Sequence, residues 1–237
     1  MMTQTVLWLT ALIMFAGGTA LLLLGKRRTE TEGVMSLSHG IVPIIAGCLY
    51  VAMATGQGAL LLPTDATLAG AANTTRIFWF GRYIDWLFTT PLLLIGLGCL
   101  GMFRGRKRTD LLLGAVAADI IMVITAFAFS ASENVISRWI WFILSCIAFL
   151  GVYYVIWVSQ LQANRLELPA VQAAYKRSAA VLSILWMVYP VILALSPDGL
   201  GLVTDSASVL VIAVTDVLAK VGFGFLSLSD DRKLTTV

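Results

Sequence analysis

The sequence predicts an all-α membrane protein, a bundle of seven transmembrane helices. Of its 237 residues, 59% are hydrophobic and only 12% are charged, whereas about a quarter of a soluble domain is charged. Apolar stretches of about 20 residues, each long enough to cross a ~30 Å hydrocarbon layer as a helix, recur along the chain. Since they leave no room for a second soluble domain, we expect residues 1–237 to form a single seven-helix domain in the lipid bilayer.

Hydropathy places seven spans between short polar connections. The longest connection, residues 56–77, is rich in Gly, Ala and Thr and is long enough for a small hairpin. The first span lacks a basic start and is too long for the core of a signal peptide, so we expect it to be a helix. The predicted spans are about 5–25, 34–55, 78–102, 109–131, 136–160, 172–196 and 206–228.

Lysines and arginines are distributed unevenly between the two ends of these spans. Two of the 16, Arg82 and Lys220, fall inside spans, and two, Arg76 and Arg138, fall at one end. Because cytoplasmic loops carry the excess of basic residues, we expect the N-terminus outside and the C-terminus in the cytoplasm. The net charge of +3 then reflects topology and does not indicate nucleic-acid binding. The twelve residues at the predicted cytoplasmic end are Lys26, Arg27, Arg28, Arg104, Arg106, Lys107, Arg108, Arg165, Lys176, Arg177, Arg232 and Lys233.

The three cysteines, Cys48, Cys99 and Cys146, all lie in apolar stretches. Their number is odd and their spacing does not match that of metal ligands. We therefore expect neither a disulfide framework nor a metal site.

Six ionisable side chains fall inside predicted spans, where a charged group is expensive and marks a functional site by default. Asp216 and Lys220 are four residues apart, so they share one face of the seventh helix. The lysine side chain leans toward its helix's N-terminus, that is, toward Asp216. A Schiff base formed on this lysine would need such a counterion to stay protonated; the alternative is a structural ion pair. The six residues are His39, Arg82, Asp85, Asp119, Asp216 and Lys220.

The third helix presents Arg82, Asp85 and Thr89 on one face. With Asp216 and Lys220 they complete a nearly neutral set of two acids and two bases, which is how buried charges are tolerated. A structural quartet without chemistry is the alternative. Aromatic residues accompany these positions, although each on its own is more often core packing; they are Tyr83, Trp86, Trp141, Trp186 and Tyr189, with Pro190 next to the last.

Three segments together resemble the microbial rhodopsins. They are residues 82–91 (Arg-Tyr-Ile-Asp-Trp-Leu-Phe-Thr-Thr-Pro), residues 216–224 (Asp-Val-Leu-Ala-Lys-Val-Gly-Phe-Gly), and the sixth helix with Trp186, Tyr189 and Pro190. The resemblance extends in order over essentially the whole chain.

The resemblance implies all-trans retinal bound to Lys220 as a Schiff base. It implies that Asp85 is the primary proton acceptor, hydrogen-bonded to Thr89, that Asp216 is the second counterion, and that Arg82 gates the outward path. Trp86 and Trp186 would enclose the polyene, with Tyr189, Trp141 and Pro190 in the pocket and Asp119 as a neutral, hydrogen-bonded acid near the retinal ring.

The implied activity is light-driven outward proton pumping, which is transport and not enzymatic catalysis. The acid at position 85 distinguishes such pumps from chloride pumps. Where many pumps have a carboxylic cytoplasmic donor this chain has Gly96, so the triplet Asp85, Thr89, Gly96 resembles that of a bacterial subgroup. His39, at a similar depth of ~8–9 Å, is a candidate proton relay because histidine titrates near neutral pH. A histidine without a kinetic role, or direct reprotonation by water, is the alternative.

Further expectations concern release, partners and location. Asp198 and Ser208 match the paired-glutamate release site of related pumps, with Asp205 nearby, so a preformed release complex is not expected. Phe142 stands where antenna-binding relatives have glycine, so no carotenoid antenna is expected. The resemblance implies a multi-pass protein of the bacterial inner membrane that forms trimers or pentamers. A photosensor signalling to a separate transducer, and a retinal-free seven-helix transporter or receptor, are the rival functions.

Overall fold

The computed structural model describes residues 2–25, 29–63, 75–103 and 108–234, with side chains to residue 230. It contains seven helices long and apolar enough to span a membrane, as predicted. Of the basic residues used to orient the chain, Lys26 to Arg28, Arg104, Arg106 and Lys107 lie outside the described residues, as do the side chains of Arg232 and Lys233. The spans are Met2–Leu24, Glu30–Ala54, Phe80–Gly101, Thr109–Ala131, Val135–Asn164, Pro169–Leu195 and Asp205–Asp230.

The helix boundaries follow from local chemistry. The second helix begins at Glu30, four residues before the predicted start, because Thr29 and Glu32 form a capping box in which each side chain accepts a hydrogen bond from the other's backbone N–H, both 3.2 Å. This satisfies two backbone donors that a helix start leaves open. Side chains of Asn134 and Thr204 cap the fifth and seventh helices in the same position.

The connection between the second and third helices forms the predicted hairpin. Strands Leu60–Pro63 and Thr75–Phe78 pair antiparallel, with Leu60 opposite Phe78. We call the end of the bundle that carries these strands the hairpin end. Arg76 and Arg138 lie together there, since both guanidinium groups donate to the backbone carbonyl of Ser132, at 3.1 and 3.0 Å.

The helices pack in a ring in which chain neighbours touch and the seventh helix closes against the first. The third helix lies inside this ring, because 72% of its apolar 18-residue stretch is buried, against 22% of the corresponding stretch of the fifth helix. Large apolar side chains on the fifth helix face outward, as expected at a lipid surface. They are Ile140, Ile143, Leu144, Ile147 and Leu150.

Two spans contain π-helical segments that hydropathy cannot reveal. One is Val155–Gln160 in the fifth helix, and the other is Leu218–Gly222 in the seventh. A π turn holds an extra residue, so it changes which side chains face the interior beyond it, and such turns are frequent at functional sites. The second segment contains Lys220.

Candidate functional site

Lys220 is the buried cation around which the site is built. Its side chain is almost fully enclosed, at 1% exposure. Lys176, the other lysine whose side chain the structure describes, is exposed. Lys220 lies in the π-helical segment of the seventh helix, and its side chain is buried in the interior of the bundle.

Two carboxylates from different helices meet the Lys220 ammonium group. Its Nζ donates to Oδ2 of Asp85 on the third helix, and it lies 3.2 Å from Oδ1 of Asp216 on its own helix. Both acids are 1% exposed. Because charges so deeply buried are tolerated only when paired, the structure brings together the three residues that the sequence singled out on the third and seventh helices.

Two tyrosine hydroxyls hold Asp216. Tyr50 donates to Oδ2 at 2.7 Å, and Tyr189 donates to Oδ1 at 2.6 Å. Tyr189 was expected only as a pocket wall, and Tyr50, on the second helix, was not predicted at all. The available signal was a tyrosine within an apolar helix, since a buried phenol requires a hydrogen-bond partner.

The Thr89 hydroxyl contacts Asp85. It donates to the backbone carbonyl of Asp85 at 2.8 Å, as a threonine in a helix readily does with the carbonyl four residues earlier. It also interacts with the Asp85 carboxylate. Oδ1 of Asp85 is buried without a hydrogen-bond partner among the described residues.

Arg82 lies on the hairpin side of these acids. It is 4% exposed, and its guanidinium carbon is 5.6 Å from the centre of the Trp79 ring. Within the described residues it forms no ion pair with Asp85 or Asp216, and its Nη2 is unpartnered. Its positive charge nevertheless completes a set of two acids and two bases in the interior, as the sequence predicted.

An apolar cavity lies among the third to sixth helices. Trp86, Trp186, Tyr189 and Pro190 line it, as expected. Trp141 does not, which corrects the prediction: its side chain is 38% exposed and its neighbour Phe142 lines the cavity. Successive helical residues point about 100° apart, so one position decides between the cavity and the lipid.

Asp119 lies behind the wall of this cavity, bonded to the cavity residue Thr90. It is completely buried, and Thr90, itself a cavity residue, donates to its Oδ2 at 2.7 Å. No basic group pairs with it among the described residues. This placement agrees with the expected hydrogen-bonded acid beside the pocket.

His39 and Gly96 are in direct contact on the side of the site away from the hairpin. A methyl group built on Gly96 would lie 2.6 Å from Cε1 and 2.8 Å from Nε2 of the imidazole. His39 is 4% exposed, and its ring centre is 5.3 Å from that of Phe223, three residues beyond Lys220. The imidazole therefore occupies the space that glycine leaves, as the matching depths predicted.

A second buried polar cluster lies at the hairpin end. Asp198 pairs with Arg76 and accepts a hydrogen bond from Ser130 at 3.0 Å, and Ser130 is bonded to Tyr83. Burial raises the pKa of Asp198, and the Arg76 guanidinium opposes that rise. Asp205 is separate from this cluster, since it accepts from the indole of Trp79 at 2.8 Å.

Asp198 and Ser208 do not form a pair. Asp198 is engaged by Arg76 and Ser130, whereas the Ser208 hydroxyl donates to the backbone carbonyl of Asp205 at 2.8 Å. The two side chains therefore have separate hydrogen-bond partners. Among the described residues, no group of three or more His, Cys, Asp or Glu side chains is placed to hold a metal ion.

The sequence matches the family described as bacteriorhodopsin-like protein over residues 1–233. The chain belongs to this family. It is 35% identical over 188 residues to archaerhodopsin-2 of Halobacterium sp. (strain aus-2), covering 79% of this chain and 69% of that protein. It is 30% identical over 224 residues to sensory rhodopsin-2 of Natronomonas pharaonis, covering 94% and 87%.

Solved structures of other rhodopsins share the fold. The thermophilic rhodopsin from Rubrobacter xylanophilus superposes with a TM-score of 0.88 at 32% identity, covering 98% of this chain and 97% of that one. The light-driven proton pump of Coccomyxa subellipsoidea gives a TM-score of 0.86 at 26% identity, covering 96% of each chain. The type I microbial rhodopsin fold predicted from the sequence is therefore confirmed.

Members of this family bind retinal covalently through a lysine Schiff base. The residues of this chain fit that cofactor. The cavity is walled almost entirely by apolar and aromatic side chains, which suits a polyene, and the one buried lysine of the described residues stands beside two carboxylates. The buried indole nitrogen of Trp86, a cavity residue, is unpartnered among the described residues.

Proposed function

We propose that this chain is a light-driven pump that moves protons outward across the membrane, with retinal attached to Lys220. The observation that carries the proposal is the contact between Lys220 Nζ and Asp85, a carboxylate on a different helix. An acid at this position gives a proton leaving the lysine nitrogen a place to bind. Bound retinal supplies the light-driven isomerisation that changes the direction in which this nitrogen points.

The two acids have different surroundings, and this supports different roles. Asp216 accepts two tyrosine hydrogen bonds that fix the position of its carboxylate, so it serves as the permanent counterion. Asp85 has one oxygen without a partner among the described residues, so its carboxylate is the one that takes up the proton. Thr89 fixes the backbone at Asp85 and Arg82 provides positive charge toward the hairpin end.

The return of a proton to the lysine nitrogen involves His39. The imidazole fills the space beside Gly96, where the third helix lacks an acid, and Phe223 separates it from the level of Lys220. On the opposite side, Asp198 with its Ser130 and Tyr83 partners is the candidate release group, and Asp205 is the alternative. The hairpin end is then the outside. The chain lies in a bacterial inner membrane as a trimer or pentamer. It carries no carotenoid antenna, since Phe142 occupies the pocket wall.

A photosensory role is the second candidate. It is favoured by the 30% identity to sensory rhodopsin-2, which extends over 94% of this chain. A sensor would use the same pocket and would signal to a separate transducer protein. Proton transport is therefore the property that separates the two functions.

The test is light-driven acidification of an unbuffered suspension of cells that express the protein with retinal. We expect the medium to acidify on illumination and a protonophore to abolish the change. Asp85→Asn should remain coloured, because Asp216 still neutralises the lysine nitrogen, but should not acidify the medium. A pigmented wild-type preparation that produces no pH change would contradict the proposal and favour the sensor.

A further inference from the structure

The first helix packs against the seventh at the residue that follows Lys220. Gly17 of the first helix faces Val221, and both residues are buried. A β carbon built on Gly17 would lie 2.5 and 2.7 Å from the two γ carbons of Val221. We propose that Gly17 is a positioning residue for the retinal linkage: because it has no side chain, it seats Val221 and thereby fixes where Lys220 holds its nitrogen. The inference rests on the part of the proposed function in which Lys220 carries retinal.

The contact leaves Val221 little freedom. Carbon atoms in favourable contact lie ~3.5–4.0 Å apart, so even a methyl group at position 17 would displace the valine. Its β carbon would also be close to that methyl group, at 3.2 Å. A valine side chain is stiff about χ1 because its β carbon is branched, and a rotation therefore does not clear the space. The displacement has to reach the backbone of the seventh helix.

A second contact of the same kind fixes the two helices against each other. Gly224 of the seventh helix receives Leu21 of the first, since a β carbon built on Gly224 would lie 2.5 Å from Cδ1 of that leucine. Gly17 and Leu21 are four residues apart, and Val221 and Gly224 are three apart, so both contacts lie on one face of each helix. Each helix thus contributes one glycine and one branched side chain. A slide or a rotation of either helix would break both contacts.

The backbone that carries Lys220 is irregular at this place. Lys220 and Val221 lie in the π segment Leu218–Gly222, in which the N–H of Phe223 bonds to the carbonyl of Leu218, five residues earlier. Such turns are rare and occur mostly as single bulges in a helix. Gly17 therefore faces the wider turn of the seventh helix. A displacement of Val221 reaches Lys220 through one peptide unit, which is planar and stiff.

The surroundings of Val221 extend to the second acid of the site. Val221 belongs to the apolar cluster that contains Met14 of the first helix and Tyr50 of the second, and Tyr50 donates to Asp216. The Lys220 nitrogen is 3.2 Å from the same carboxylate. Because the attraction between charges varies inversely with their distance, a shift of this nitrogen changes the electrostatic environment of the retinal linkage. The colour of the protein therefore reports the position of Lys220.

The experiment compares the same change at two adjacent glycines. Gly17→Ala acts on Val221, whereas a methyl group at Gly18 would meet the second helix, 2.8 Å from Cδ1 of Ile44 and 3.0 Å from the carbonyl oxygen of Gly40. Both changes crowd a contact of the first helix, but only one of these contacts leads to Lys220. We expect the absorption maximum of the unilluminated protein to shift in Gly17→Ala and to stay at the wild-type position in Gly18→Ala. The Tm of each variant measures the packing cost separately.

The second readout is the rate at which hydroxylamine bleaches the visible band in the dark. We expect Gly17→Ala to bleach about tenfold faster than Gly18→Ala, which corresponds to about 1.4 kcal/mol in the barrier, because the displaced linkage is more open to attack. Val221→Ala removes both γ carbons and supplies the rescue. In Gly17→Ala/Val221→Ala the absorption maximum and the bleaching rate should return toward the wild type, since effects of residues in contact are not additive.

Equal absorption maxima and bleaching rates in Gly17→Ala and Gly18→Ala would overturn the inference, and so would a double variant no closer to the wild type than Gly17→Ala. If Gly17→Ala gives no coloured protein, the double variant has to restore the colour, and its failure would count against the inference in the same way. All readouts are taken in the dark, so they are independent of pumping. The expected pattern in a protein that moves no protons would overturn the pump and leave the role of Gly17 intact.

Discussion

The ammonium nitrogen of Lys220 lies 3.2 Å from a carboxylate oxygen of Asp216, one turn earlier on the same helix. Asp85 reaches the same nitrogen from the third helix. A cation at this nitrogen is therefore neutralised from two directions, with one acid fixed by tyrosines and the other having an unpartnered oxygen among the described residues. This asymmetry is the physical basis for assigning the two acids different roles.

Lys220→Ala should abolish the visible absorption band, because the proposed attachment atom is removed while the apolar cavity remains. Lys176→Ala is the matched control, since Lys176 is exposed on the sixth helix. The measurement is the visible spectrum of each purified variant after incubation with all-trans retinal. A visible band in Lys220→Ala that equals that of the control would eliminate the assigned attachment site.

Gly96→Ala should slow recovery of the visible band, because its methyl group would lie 2.6 Å from the His39 ring and would displace it. Gly114→Ala is the control, since nothing lies within 4 Å of the methyl group added there. His39→Gln should keep the colour and slow recovery in the same direction. The measurement is the flash-induced absorption change of the three variants over a range of pH. Unchanged kinetics in His39→Gln would contradict a role of this histidine in proton relay.

Tyr50→Phe should lower thermal stability, because it removes a hydrogen bond to a buried carboxylate. The hydrogen bond to a charged group is worth about 2 kcal/mol, which corresponds to about 4–8 °C in Tm for a chain of this size. Tyr154→Phe serves as the comparison, since Tyr154 is 61% exposed. Loss of the visible band on heating reports Tm, and equal values for both variants would show that Tyr50 does not stabilise the site.

Asp198 should make stability depend on pH. Burial raises the pKa of this carboxyl in the folded state, so the folded protein binds the proton more tightly than the unfolded chain, whose aspartates titrate near ~3.9. The stability gained from the bound proton is therefore complete at the lowest pH and is lost as pH rises through the raised value.

The measurement is the Tm of the wild type and of Asp198→Asn, from a pH below the unfolded value of ~3.9 to a pH above the raised pKa of the folded state. The Tm of the wild type relative to that of the variant should fall as pH increases. Glu133→Gln, at an exposed position near the same end, should show no such trend. A relative Tm that rises with pH would mean that the Arg76 ion pair outweighs burial.

The charged residues are the part of the site that could be predicted from the sequence. Lys220, Asp85 and Asp216 could be placed together because ionisable groups in apolar helices must face one another inside the bundle. The contact of His39 with Gly96 followed from equal depth along two helices.

Details that depend on helix rotation and local bonding were not predictable. The cavity is lined by Phe142 and not by Trp141, the residue before it, which the sequence had predicted. The π turn around Lys220 has no hydropathy signal. Tyr50 carries no charge, and although a tyrosine in an apolar helix needs a hydrogen-bond partner, the sequence does not show that this partner is Asp216. The additional hydrogen bond from Thr89 to the backbone carbonyl of Asp85 depends on the threonine rotamer.

The most direct test of outward pumping is flash excitation of the protein in sealed, uniformly oriented vesicles, with a pH-sensitive dye on each side of the membrane. We expect proton release on the side of the hairpin and a matching proton uptake on the other side. Both should be complete when the visible band has recovered. A full cycle of absorption changes without net proton movement between the two sides would contradict the account.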